Sequence, residues 1–529
     1  MRSTLVTLAI ALAACSEAAP PSAPDAAIPA DDAAAVAMQV DASAADAAAT
    51  IHPDAASAND DAAIAPDATN DLIPVGHERE MRAIWVATVS NIDFPRSTRL
   101  TPAEAQADLE AMVTRTATAG LNAIFFQVRP ESDAFYASTL EPWSRFLTGT
   151  QGQDPGYDPL ATLIALARRR HIEVHAWINP YRGLTSSSVQ AAPTHVTRTL
   201  SAHAINYGAG VVMDPGSTEV RAHVVAVVRD LIEHYEVDGV HFDDYFYPYP
   251  DAGGTPFPDS DSYDAYRAGG GMMSLGDWRR DNVNALVRDV STMMTQVKPT
   301  MRFGISPFGI WKNNTPPGIR GLDAFATIYC DAVTWMREGW VDYLAPQLYW
   351  PTTQVPQAYG TLAPWWASQN MGGRHLFPGH ALSRLGSGPE WSIDEMREQV
   401  EITRGLRDQG AQGDVFFSYR QFAADLEGVF GLFQRTLYRL PALPPPVPRA
   451  LPTPAPPTLI ARAGGMSIEH AARGSLSWLV LYRSVGGVWV IERILEKDAT
   501  EANVANGDWA VSAIGPGGNE SLGRTVTVR

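Results

Sequence analysis

The residues best suited to chemistry in this sequence are two neighbouring carboxylates, Asp243 and Asp244. They stand in the run Gly239-Val240-His241-Phe242-Asp243-Asp244-Tyr245-Phe246-Tyr247-Pro248. An apolar stretch leads into the acids, and aromatic rings follow them. Such a pattern reads as a buried strand that ends in a site. Carboxylates hydrogen-bond to sugar hydroxyls while aromatic rings stack on the C–H faces of a sugar, so the run suits a carbohydrate. Hydrolysis of a glycosidic bond needs two carboxyl groups. One protonates the leaving oxygen; the other attacks the sugar or activates water. Asp243 is the first of these by position. Its partner stays open among Glu131, Asp133 and Asp244, with Asp93 and Glu338 as further candidates. Arg129 would hold a neighbouring carboxylate in its charged form and so favour a nucleophile or base.

Other chemistries lack their groups. The sequence has no phosphate-cradling glycine motif, no clustered His/Cys spacing for a metal and no Gly-x-Ser-x-Gly turn. Basic residues are scattered among acids, which disfavours nucleic acid as a partner. We expect neither a metal nor a cofactor.

Eight short apolar runs, at residues 82–89, 123–128, 173–178, 239–242, 302–305, 343–348, 375–379 and 415–419, alternate with helical patterns. Thr101-Pro102 and Asp158-Pro159 each pair an N-cap with a proline in the first turn. Residues 219–235, 277–298, 322–339, 393–410 and 421–438 read as further helices. Eight strands interleaved with helices over residues 78–440 predict an α/β fold, a (β/α)8 barrel with loop insertions. Residues 210–215 fit no barrel strand and are assigned to a loop hairpin.

Strand alternation decides which side chains face the barrel axis. Ile124, Phe126 and Val128 form one row, with Gln127, Arg129 and Glu131 opposite. Val174, Ala176 and Ile178 oppose His175, Trp177 and Asn179. Val240 and Phe242 oppose His241 and Asp243. Leu344, Pro346 and Leu348 oppose Ala345, Gln347 and Tyr349. The inward polar sets collect near the C-terminal strand ends, where barrels place their chemistry. Candidate substrate-binding residues are therefore Gln127, Arg129, His175, Trp177, Asn179, His241 and Gln347. Tyr245, Trp311, Tyr349 and Trp350 are candidate sugar platforms, with Tyr247, Trp365 and Trp366 also in reach.

The ends of the 529-residue chain differ in character from its middle. Residues 1–15 read as a short secretory leader, and Leu12-Ala13-Ala14-Cys15 resembles a bacterial lipobox. That resemblance implies cleavage before Cys15, diacylation of its sulfur and a membrane partner. Ser16 points to the outer membrane. Residues 16–77 are rich in Ala, Asp and Pro. Glu17 and ten Asp place −11 of the net −18 in that stretch, and it reads as an extended tether. If Cys15 carries lipid, Cys330, the second of two cysteines, has no disulfide partner. Residues 441–457 hold nine prolines and read as a polyproline linker to a tail domain at 458–529.

Six ordered blocks carry a family resemblance. They are Met81-Arg82-Ala83-Ile84-Trp85-Val86-Ala87-Thr88-Val89-Ser90-Asn91-Ile92-Asp93, Phe126-Gln127-Val128-Arg129-Pro130, and His175-Ala176-Trp177-Ile178-Asn179-Pro180-Tyr181-Arg182. Gly239 to Pro248, Ile305-Ser306-Pro307-Phe308-Gly309-Ile310-Trp311 and Ala345-Pro346-Gln347-Leu348-Tyr349-Trp350 complete the set. The body resembles the glycosyl hydrolase-like 10 family. The resemblance implies a (β/α)8 barrel in an envelope lipoprotein that cleaves peptidoglycan glycan strands, preferring strands stripped of peptide. Family members commonly read Arg-Pro-x-Gly-Asp after the second strand. Here the run is Arg129-Pro130-Glu131-Ser132-Asp133, which favours Asp133 over Glu131. The tail, with a Gly486-Gly487 hairpin signal, resembles a fibronectin type III module, which implies a small β-sandwich. A hydrolase of another envelope polysaccharide and a non-catalytic glycan-binding lipoprotein are the competing readings.

Overall fold

The computed structural model describes residues 71–251 and 253–529. The leader, Cys15 and the tether through residue 70 lie outside the described residues.

Nine parallel hydrogen-bonded segments form the central sheet. We label them β1 (Met81–Val86), β2 (Ala123–Arg129), β3 (Glu173–Ile178), β4 (Gly239–Phe242), β5 (Arg302–Ile305), β6 (Tyr343–Leu344), β7 (His375–Leu376 and Gly379–Ala381) and β8 (Gly413–Phe417). The two pieces of β7 are separated by Phe377-Pro378; the first pairs with β6 and the second with β8. Nine segments are thus eight strands, and the pairing closes on itself as a (β/α)8 barrel.

Helices α1 (Pro102–Thr118), α2 (Pro159–Arg168), α3 (Thr218–His234), α4 (Leu275–Val297), α5 (Ala332–Arg337), α6 (Tyr359–Ser368) and α7 (Ile393–Gly405) form the outer layer. Thr101 caps α1 in a reciprocal capping box with Glu104, and Asp158 caps α2. Three helical regions differ from the sequence expectation. Residues 421–438 do not form one helix but break into short pieces, among them Tyr419–Ala423 and Val429–Leu432, because Asp425, Glu427 and Gly428 between them adopt φ +52°, +53° and +76°. Residues 322–339 form two short helices, Ala324–Thr327 and α5, because Tyr329 between them adopts φ +57°. The sequence reading missed α6, whose interior Pro364 and adjoining Trp365-Trp366 mask a helical pattern. After β3, Arg182–Leu184, Ala204–Tyr207 and Gly210–Met213 pair as a three-stranded antiparallel loop sheet.

Two cores follow from strand alternation. Ile124, Phe126, Val128, Val174, Ala176, Val240 and Phe242 pack against the helices. Met81, Trp85, Phe125, Trp177, Tyr343, Ala345, Phe377, Val415 and Phe417 fill the barrel. The barrel interior is tight enough to dictate a glycine. A Cβ on Gly304 would lie 2.1 Å from the Tyr343 ring. Gly304→Ala is expected to lower stability by about 1–3 kcal/mol, read as a lower urea midpoint at unchanged slope.

The tail is a small all-β sandwich. Its strands are β9 (Thr458–Arg462), β10 (Gly465–Glu469), β11 (Trp478–Val485), β12 (Val488–Glu496), β13 (Glu501–Asn503), β14 (Gly507–Ile514) and β15 (Gly523–Val528). Sheet β9-β10-β13 faces sheet β15-β14-β11-β12 across Leu459, Ile468, Leu479, Leu481 and Val511. Gly486 and Gly487, at φ +60° and +83°, make the two-residue turn between β11 and β12.

Two segments read as free connectors are instead fixed. Leu72–Ile73 pairs antiparallel with β15, so the tether does not extend as loose chain to residue 77. Residues 441–457 run across the N-terminal ends of the barrel strands. The Leu443 carbonyl accepts from Glu80 N at 2.9 Å and the Pro446 carbonyl meets His375 Nε2 at 2.7 Å. Arg449 ion-pairs with Asp342. Proline removes donors but leaves carbonyls, and those carbonyls hold the strap in place.

Candidate active site

Asp243 stands at the C-terminal tip of β4, with its side chain toward the barrel axis. Its Oδ2 accepts from Trp177 Nε1 at 3.1 Å and Asn179 Nδ2 at 2.5 Å, both from β3 and the residues that follow it; Oδ1 accepts from Tyr245 N at 3.2 Å. Asn179 is itself aimed. Its Oδ1 accepts from Gln127 Nε2 at 2.6 Å, and Gln127 Oε1 accepts from the amides of Thr88 and Val89 at 2.8 Å each. A relay of side-chain amides thus runs from the end of β1 to one carboxylate. Burial raises the Asp243 carboxyl above its usual range, opposed by Arg182 and by these donors.

Asp244 is buried beside it and receives the Tyr249 hydroxyl. Burial and the charge of Asp243 push it up to about 7, while Tyr249 and Gln347 pull it down. Gln347 is anchored to the Ser306 carbonyl at 3.0 Å. Two adjoining carboxyls in dry surroundings cannot both ionise cheaply. The one with three N–H donors holds the charge, and its neighbour holds a proton near neutral pH.

The structure sets the other candidates apart from this pair. Residues Gln127 and Arg129 pair with Trp177 and Ile178, a register shift that absorbs Val128 as a bulge. The shift turns Arg129 away from the axis, against the alternation reading. Arg129 instead bonds Glu141 through Nε at 2.7 Å and Nη2 at 2.5 Å, with both side chains buried. His223 adds a contact to Glu141 at 3.0 Å. Glu141→Gln leaves Arg129 buried without a counter-charge, with an expected loss of about 3–5 kcal/mol in chemical denaturation.

Glu131 accepts from Arg145 at 2.8 Å and Thr185 N at 2.5 Å, and Asp133 accepts from Gln151 at 3.0 Å. Both are buried, and these partners, not Asp243, take up their carboxylates. Asp133 is raised to about 7 by burial and by Glu131. Asp93 clasps β1 to β8, accepting from Ala87 N and Arg420 N at 2.7 Å and Ser418 Oγ at 2.8 Å. Glu338 is exposed at the end of α5.

His175 and His241, read as substrate-binding, are fully buried inside the barrel. Trp85 Nε1 donates to His241 Nε2 at 3.1 Å. His241 Nδ1 meets Tyr343 Oη at 3.1 Å, Tyr343 Oη meets His175 Nδ1 at 2.8 Å, and His175 Nε2 reaches Glu173 at 3.2 Å. Because Trp85 can only donate, His241 Nε2 accepts and Nδ1 carries the hydrogen. The chain then closes with each group donating once to the next. Burial holds His241 well below its usual range, consistent with a neutral ring. The two histidines underpin the site from inside and do not face a ligand.

Half-buried aromatics surround the mouth. Tyr349 stacks on Phe417 at 6.1 Å, and Tyr245 lies under the Arg182 guanidinium at 4.4 Å. Trp311 stacks on Trp365 at 6.0 Å and donates to Asp331 at 3.2 Å. Trp350, Trp366 and Tyr247 are buried in the outer core and offer no sugar platform. Sequence reasoning overlooked Arg182 and Tyr249. Arg182 closes the quoted run from His175, and Tyr249 follows Pro248, so each lay within one residue of a segment already singled out. Among the described residues, no group of three or more His, Cys, Asp or Glu is gathered as a metal site.

The glycosyl hydrolase-like 10 family model matches residues 80–392. Glycosyl hydrolase YngK of Bacillus subtilis (strain 168) is 37% identical over 386 residues, 70% of this chain and 74% of that protein. Glycosyl hydrolase DigH of Escherichia coli (strain K12) is 35% identical over 353 residues, 61% of this chain and 79% of that protein. Among solved structures, the PgaB (BpsB) glycoside hydrolase domain from Bordetella bronchiseptica aligns with TM-score 0.42 at 13% identity, over 68% of this chain and 98% of that one. The catalytic domain of β-amylase from Paenibacillus polymyxa aligns with TM-score 0.44 at 10% identity, over 69% and 99%.

Proposed function

We propose a substrate and a place of action for this chain, which belongs to the glycosyl hydrolase-like 10 family and is a glycoside hydrolase: it hydrolyses the glycan strands of peptidoglycan, with preference for strands stripped of peptide. The observation that carries the reading is the amide-oriented Asp243 with protonatable Asp244 beside it, in a barrel mouth edged by Tyr245, Tyr349 and Trp311. The family resemblance supplies the substrate. Asp244 acts as the acid at the glycosidic oxygen, and Asp243 as the ionised partner. The lipobox-like Leu12-Ala13-Ala14-Cys15 supports export and lipid anchoring on Cys15, with Ser16 favouring the periplasmic face of the outer membrane. The strand order of the tail supports its resemblance to a fibronectin type III module.

The test incubates the full-length protein with peptide-stripped and intact peptidoglycan, beside Asp243→Asn, and reads soluble products by mass spectrometry. Peptide-free sugar fragments from the wild type and not the variant are expected. Release from a different envelope polysaccharide, with none from either form of peptidoglycan, would overturn the substrate. For the anchor, metabolic labelling with a fatty acid should mark the wild type and not Cys15→Ser; equal labelling of both would sink that part.

A further inference from the structure

Glycosidases with two protein carboxylates place them on opposite sides of the scissile bond. The mouth of this barrel does not offer that arrangement. Asp243 and Asp244 are consecutive, about 3.8 Å apart at Cα, at one strand tip. Around the rest of the mouth, β3 ends in Asn179-Pro180, β5 in Ser306-Pro307, β7 in Ala381-Leu382 and β8 in Ser418. Both oxygens of Asp93 are taken up in the β1–β8 clasp. Both oxygens of Glu131 are held by Arg145 and Thr185. Asp133 is bound by Gln151 Nε2 at 3.0 Å and by the Glu131 amide at 3.3 Å, and Asp331 is occupied by Trp311 Nε1 and Thr334 Oγ1. Among the described residues, the strand tips therefore supply an acid and an anion from one strand end, and each other carboxylate named at the mouth is committed to a clasp or ion pair between structural elements.

We infer that the missing nucleophile belongs to the substrate: the enzyme cleaves only next to a 2-acetamido sugar, whose own carbonyl oxygen attacks C1 while Asp243 holds the acetamido N–H and Asp244 protonates the leaving oxygen. This rests on the glycan-strand reading and deepens it. In the first step the acetamido oxygen forms a bond to C1, the C1–O bond to the leaving sugar breaks, and the Asp244 proton passes to that oxygen. The product on the enzyme is an oxazolinium ring, its positive charge shared with the N–H that faces the Asp243 carboxylate. In the second step water adds to C1 and gives its proton to Asp244. The C1–O bond of the ring opens, and the acetamido group is restored. Two inversions at C1 leave its configuration retained, and the sum is one water consumed. The fixed groups match these roles. Three N–H donors hold Asp243 in place and oppose the upward push of burial, and a carboxylate so held suits an N–H partner. Tyr249 donates to Asp244 Oδ2, and Gln347 also bonds this carboxyl, so the acid is held in place beside Asp243.

The experiment gives the full-length protein three forms of peptide-stripped glycan: native, chemically N-deacetylated, and N-deacetylated then re-acylated with trifluoroacetyl groups. The anomer of the nascent reducing end is read by proton NMR. The native strand should yield the retained anomer. The trifluoroacetyl strand should be cut more slowly, because fluorine drains electrons from the attacking carbonyl. The deacetylated strand should lose about 1,000-fold or more in rate, the order of advantage an intramolecular nucleophile confers. Equal rates on native and deacetylated strands, or an inverted product, would overturn the mechanism while leaving the glycan substrate standing. Turnover of an acetamido-free polysaccharide, with none of the native strand, would remove the substrate reading and this inference with it.

Discussion

Asp243→Asn is expected to reduce kcat on peptide-stripped glycan about 1,000-fold with little change in melting temperature. The side chain is isosteric, but the donors around it are not indifferent to the change. Trp177 Nε1, Asn179 Nδ2 and Tyr245 N all point at the carboxylate oxygens. An amide can offer one carbonyl oxygen to them, and its NH2 must then face a donor. The anion that the pocket is built to hold disappears, and with it the charge that balances a cationic sugar at the transition state. The Gln127–Asn179 relay identifies a second-order variant. Gln127→Leu should retain Asp243 yet lower kcat more than it raises KM, because Asn179 loses the partner that fixes its orientation. Full activity of Asp243→Asn, with fragments unchanged by mass spectrometry, would remove this residue from the chemistry.

Asp244→Asn has the second large effect, and its signature is a pH profile. A general acid is competent while protonated. With Asp244 raised to about 7, activity should be full below that value and fall as pH rises through it. The variant should lose on the order of 100- to 10,000-fold on glycan strands, and the residual rate should no longer decline on the alkaline side. A substrate with a nitrophenolate leaving group needs no proton at its oxygen and should be spared most of the loss. An alkaline limb that persists in Asp244→Asn would assign that limb to another group. Tyr249→Phe removes the hydroxyl that stabilises the ionised form, so its alkaline limb should move upward.

Much of this architecture was legible because burial imposes periodicity. Gln127, Trp177, Asn179 and Asp243 fall on one surface by strand alternation alone, and the structure brings them into contact. Alternation fails at Arg129 because one extra residue at Val128 reverses the facing of everything after it, and nothing in the local composition announces a bulge. It is also blind to depth. His175 and His241 share the inward surface with Asp243 but lie lower, where a neutral hydrogen-bonded chain satisfies them. Pattern reading similarly treats a proline-rich stretch as a free linker, since it weighs the donors proline lacks. The carbonyls of residues 443, 446 and 448 show that acceptors alone can fasten such a segment.

The pairing of Leu72–Ile73 with β15 has a mechanical meaning. The strap and tail lie under the strand starts, where Glu80, Asp342 and His375 meet them, so the chain enters at the floor of the barrel while Asp243 opens at its roof. Between residue 71 and the barrel, the chain is held first by its antiparallel pairing with residues 523 and 524 and next by the Arg79–Glu520 ion pair at 2.6 Å. Both sit outside the barrel. Were the chain pulled upstream of residue 71, these contacts would take the load like the collar on a cable before it reached the geometry around Asp243.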